Sequence, residues 1–91
     1  MKGRPAEKML LAAMKPGQLG EVISFLHPET PAIQRLAALG FLPGEKFKLE
    51  RCRPDYLIRF GYTRLAINRR LAREVLVYMM KVSSASGREV L

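Results

Sequence analysis

The stretch Thr30-Pro31-Ala32-Ile33-Gln34-Arg35-Leu36-Ala37-Ala38-Leu39-Gly40-Phe41-Leu42-Pro43-Gly44-Glu45 constrains the fold most, because it specifies a complete short helix and the turn after it. Thr30 carries a hydroxyl that can cap the first free amides, and Pro31 suits the first helical position, where a missing N–H costs nothing. Gly40 is placed to take the left-handed conformation that ends a helix. Pro43 and Gly44 fit the two central positions of a tight turn, the glycine supplying the positive φ. The segment places no catalytic acid or base, nucleophile or metal-ligand set at the turn, so its first message is architectural.

A chain of 91 residues has room for one hydrophobic core and none for separate cofactor and substrate lobes. Its 48% hydrophobic and 26% charged residues suit a folded protein, and without Trp the core must be largely aliphatic. Lys and Arg outnumber Asp and Glu 16 to 8, for a formal charge of +8. Such a field attracts nucleic acid, an anionic inner-leaflet surface or an acidic protein alike; it selects a sign rather than a partner. The single cysteine, Cys52, allows no internal disulfide and no CxxC pair, which fits a reducing, cytoplasmic setting. The apolar run at residues 9–14 is too short to span a bilayer, so any approach to the inner membrane is expected to be peripheral.

Residues 1–8 read as a flexible basic N-terminus and residues 81–91 as a flexible tail, leaving 9–80 as the folded unit. Within it, residues 9–14 read as one or two helical turns stopped at Pro16-Gly17. Residues 19–26 read as a strand with Val22 and Leu26 inward. Residues 45–51 alternate cleanly, with Phe47 and Leu49 on one face and Lys46, Lys48 and Glu50 on the other. Pro54-Asp55 reverses the chain into a strand whose Tyr56, Ile58 and Phe60 share a face. A third strand follows with Leu65 and Ile67 inward and Arg64 outward, completing a meander. Asn68 can cap one helical turn over residues 69–72; beyond it, Val75 and Val77 at period two favour a strand that closes the sheet, although one longer helix over 68–80 suits the same residues. The expected fold is mainly β, a small barrel with one or two short helices.

A search for chemistry returns little. Gly17, Gly20, Gly40 and Gly44 are too scattered to make a phosphate-binding loop. His27 and Cys52 are the only soft ligands, fewer than a closed metal site requires, and Cys52 has no positioned base beside it. The bland alternatives are a solvated loop histidine and a half-buried strand cysteine. No catalytic, cofactor-binding or metal-binding residue is therefore expected, and no small-molecule substrate. Arg51, Arg53, Arg59, Arg64, Arg69, Arg70 and Arg73 crowd the second half among Tyr56, Phe60 and Tyr62, a composition that can hold single-stranded nucleic acid. Because Tyr56 and Phe60 have core spacing, only Tyr62 is left as an exposed ring, and nucleic acid ranks second as a partner. The apolar residues 9–14 and Phe41-Leu42 either plug the ends of the barrel or offer a patch to another protein, with Met9 and Met14 suited to an adaptable surface.

Taken in order, Met14-Lys15-Pro16-Gly17-Gln18-Leu19-Gly20, Arg35-Leu36-Ala37-Ala38-Leu39-Gly40-Phe41-Leu42-Pro43-Gly44-Glu45, Arg64-Leu65-Ala66-Ile67 and Glu74-Val75-Leu76-Val77 give the chain its likeness: it resembles the FeoA family over residues 9–77. The resemblance implies an SH3-like β-barrel of the bacterial cytoplasm that supports ferrous iron uptake through the membrane transporter FeoB, as an accessory protein and not an enzyme. It also implies a family-level association with transition metals such as ferrous iron, without a ligand set to transfer. The same barrel is similar to the C-terminal domain of iron-dependent repressors, so a metal-responsive regulatory domain stands beside nucleic-acid binding as an alternative. The expected partner-binding residues are Leu39, Phe41 and Leu42, which would shape the contact face, and Arg51, Arg53 and Arg64, which would aid approach to an acidic partner.

Overall fold

The structure, a computed structural model, describes residues 6–80. The chain runs through β1 (Ala6–Leu10), a single 3-10 turn (Leu11–Ala13), β2 (Leu19–Phe25), α1 (Pro31–Ala38), β3 (Lys46–Arg51), β4 (Tyr56–Phe60), β5 (Thr63–Ile67), α2 (Arg69–Ala72) and β6 (Val75–Met80). All six strands join one sheet in the order β1-β6-β2-β3-β4-β5, each antiparallel to its neighbours. The fold is mainly β, as expected, and β3 to β5 form the expected meander.

Three features differ from the sequence reading. Met9 and Leu10 belong to β1, which begins at Ala6, and only residues 11–13 turn helically. β1 finds a full-length partner in β6, and pairing satisfies backbone groups that an isolated short helix would leave open. Residues 6–8, assigned to a flexible terminus, thus lie in the sheet, while 1–5 and the tail 81–91 lie outside the described residues. β6 is a strand, but it sits inside the sheet between β2 and β1 and does not close an edge. Leu26, expected inward, is 47% exposed beyond the end of β2. The cause is a bulge: Val22 pairs with Val77, but Ser24 pairs with Leu76 and Phe25 with Val75, so Ile23 is an extra residue and the inward phase passes from even to odd positions.

The core holds Val22, Ile33, Leu36, Phe41, Leu49, Ile58, Val75 and Val77 with their neighbours, and no buried polar or charged residue is found among the described residues. Leu11 and Met14, completely or almost completely buried, plug one end, and the Tyr56 hydroxyl donates to the Ala12 carbonyl at 2.8 Å, tying that plug to β4. Gly20 is fixed by packing: a Cβ there would stand 2.7 Å from the Phe47 ring.

Candidate partner-binding surface

The α1 segment forms as its sequence dictates. The Ile33 amide donates to Thr30 Oγ1 at 3.4 Å, Pro31 opens the helix, and Ile33 and Leu36 bury one face. At the far end Gly40 adopts φ +99. Its amide donates to the Ala37 carbonyl at 2.9 Å, and the Phe41 amide reaches back to the Leu36 carbonyl at 3.1 Å. This is a Schellman motif, in which the residue after the glycine packs on the last turn of the helix. Phe41 is accordingly 0% exposed, with ring centroids 5.3 Å from Phe47 and 5.2 Å from Phe60. The expectation that Phe41 helps shape a contact face is thereby corrected: the capping geometry turns it into the core, where it has no surface to offer.

Leu39 and Leu42 flank it and point the other way, 51% and 45% exposed. Leu42 also begins the tight turn: the Glu45 amide donates to the Leu42 carbonyl at 2.9 Å, and Gly44 at φ +94 identifies it as type II. The turn is clamped on β2, since Gly44 donates to the Val22 carbonyl at 2.8 Å and Val22 donates to that of Glu45 at 3.0 Å. Two leucines are thus left about half exposed, one at the helix cap and one at the hydrogen-bonded turn.

The basic residues collect on the outer face of β3, β4 and β5. Lys48 pairs in register with Arg59, and Arg59 with Arg64, setting three cations side by side across three strands. Like charges directly opposite disfavour the sheet, and one carboxylate offsets them. Arg59 Nε lies 3.0 Å from Glu50 Oε2 and Arg64 Nε 3.4 Å from Glu50 Oε1. Glu50 is the extra residue of a second bulge, since Leu49 pairs with Ile58 and Arg51 with Leu57. That bulge lets Glu50 and Arg51 both face outward where strict alternation would send Arg51 inward. Arg51 and Arg53 are exposed, and Tyr62 stands fully in solvent, whereas Tyr56 and Phe60 are buried.

A separate cleft of about 240 Å³ lies between the N-terminal ends of the two helices, lined by His27, Thr30, Asn68, Arg70 and Glu74 among others. His27 Nδ1 is 2.6 Å from Glu74 Oε1, and this hydrogen bond, reinforced by the carboxylate charge, holds the His27 pKa above its ordinary value. Cys52 is partly buried just beyond β3. Among the described residues no three His, Cys, Asp or Glu side chains gather as metal ligands. No helix among them is long and apolar enough to cross a membrane.

Alternation places both Glu50 and Arg59 on the outer face; their pairing was hidden because it depends on the register of β3 against β4, which nothing local in the sequence marks. Comparison with known proteins adds to this geometry. A family model described as the FeoA domain matches residues 9–79. The chain is similar to an iron uptake regulatory protein (FeoA) of known crystal structure, at 30% identity and a TM-score of 0.72 over 81% of this chain and 99% of that one. It is similar to the FeoA protein of Chlorobium tepidum at 28% identity and a TM-score of 0.72, covering 82% of this chain and 73% of that one. A third likeness, at 29% identity and a TM-score of 0.60 over 76% of this chain and 88% of that one, is to Stenotrophomonas maltophilia FeoA complexed with zinc, described as a prokaryotic SH3 domain protein and candidate ferrous iron transport activating factor. No curated protein sequence matches significantly.

Proposed function

The chain belongs to the FeoA family, and from that premise we propose that it is a non-catalytic, cytoplasmic accessory protein of ferrous iron uptake that docks on a FeoB-like membrane transporter. The observation that carries the proposal is the pair Leu39 and Leu42, two half-exposed leucines presented by a helix cap and a clamped turn. Apolar side chains on a rigid support bind a partner at little cost in conformational entropy. Arg51, Arg53 and Arg64 supply a field that speeds encounter with an acidic partner surface. A catalytic role finds no support: His27 is engaged with Glu74, and Cys52 has no hydrogen-bonded base among the described residues. Nor is a bound metal part of the proposal, since the described residues bring no ligand set together. Ferrous iron is, on this proposal, the cargo of the transporter.

Uptake of labelled ferrous iron by cells lacking the native protein tests the reading. Complementation with the wild-type chain is expected to restore uptake, and a Leu39→Ser, Leu42→Ser variant, present at equal level, to fall several-fold short. Full restoration by the double variant would remove this face from the function.

A further inference from the structure

The outer face of the sheet carries a second surface that sequence reading did not single out. A groove of about 410 Å³ runs over β6, β2, β3 and β4, within the size range of about 300–1,000 Å³ typical of binding clefts. Its order comes from register: Met80 pairs with Leu19, Leu19 with Lys48, Lys48 with Arg59, and Arg59 with Arg64 beyond the groove. One row across the strands therefore begins with two aliphatic side chains and continues with three cations. Lys46 lines the groove as well, and no acidic residue does. Leu19 is 39% exposed despite its place in the middle of a sheet. Lys46 and Lys48 are exposed and have no described ion pair; Glu21 stands opposite Lys46 in register, Lys48 faces only Leu19 and Arg59, and Arg59 shares Glu50 with Arg64.

We infer that this groove binds a short acidic segment of a partner protein, one that lays an apolar side chain between Leu19 and Met80 and its carboxylates on Lys48, Arg59 and Lys46. Charge complementarity fixes the sign of the occupant, and the aliphatic end fixes its mixed character. A nucleic acid would need stacking rings, and the aromatic residues in the lining, Phe47 and Phe60, are spent in the core. A bilayer would need a broader apolar patch, whereas here two apolar side chains stand in register beside three cations. Lys and Arg stems flanking apolar surface suit a peptide, since they cover its side chains while their heads meet its carboxylates. The inference rests on the adaptor reading above and names the chemistry of a second contact.

The test is a titration of the isotopically labelled full chain with the capped peptide Asp-Glu-Leu-Asp-Glu, followed by amide shifts in NMR. Saturable shifts are expected at Leu19, Lys46, Lys48, Arg59 and Met80, with affinity that weakens as salt rises. A Lys46→Glu, Lys48→Glu variant that keeps the wild-type melting temperature is expected to bind about tenfold or more weakly. Shifts confined to other surfaces, or unchanged binding by that variant, would overturn the groove. So would binding of phosphatidylglycerol vesicles or a single-stranded oligonucleotide at these residues without binding of the peptide. Because the peptide assay contains no transporter, its failure leaves the Leu39 and Leu42 contact standing. The uptake experiment with the leucine variant bears on that contact alone.

Discussion

Phe41 and Leu42 are adjacent and similarly apolar, yet the fold sends them in opposite directions. Glycine at the position before Phe41 lets the chain reverse, and the hydrogen bonds of the Schellman motif place Phe41 over the helix it has just left. In the sequence both looked like surplus apolar residues after a cap. The apolar position that follows a capping glycine is itself part of the motif, and that rule separates them. Replacement of Phe41 by Ala removes a ring in contact with two other aromatics and is expected to cost about 3–5 kcal/mol in chemical denaturation. Replacement of Leu42 by Ser is expected to change stability by no more than about 0.5 kcal/mol. A large loss at Leu42, or a small one at Phe41, would contradict the assignment of core and contact face.

At the scale of elements, patterns of period 2 and 3.6 located most of the structure, and they failed where another strand intervened. α1, β3, β4, β5 and the turn at α2 were legible because caps, turns and alternation are local. Residues 9–10 were not, since their strand exists only through pairing with β6. Neither were the bulges at Ile23 and Glu50, which exchange inward and outward positions without any local mark. The loop before α1 is joined to the start of β6 by His27 and Glu74, and this link should depend on pH. Pairing raises the His27 pKa, so its stabilisation is complete below the ordinary histidine value and fades as pH rises through the raised one. Glu74→Gln is therefore expected to lower the melting temperature more at about pH 5 than at about pH 9. The His27 ring pKa, followed by NMR, should fall back toward its ordinary value in that variant. A penalty that grows with pH would contradict the link.

For the molecule as a whole, composition announced a basic domain, and the sheet decides where that charge acts. Register gathers Lys48, Arg59 and Arg64 into one row, leaves Glu50 to offset two of them, and keeps Arg51 and Arg53 in solvent. A field of this kind governs association rate more than residence time. Arg51→Glu with Arg53→Glu is expected to slow association with the transporter roughly tenfold at low salt, with the difference shrinking as salt screens it. Stopped-flow measurement would show this, and an unchanged rate would remove these arginines from the approach. The accessory role itself is tested most directly by isothermal titration of the cytosolic part of a FeoB transporter with the wild-type chain and with Leu39→Ser, Leu42→Ser. Saturable binding by the wild type is expected, with a loss of about tenfold or more in a folded double variant. Equal affinity of the two proteins, or no binding by the wild type, would contradict it.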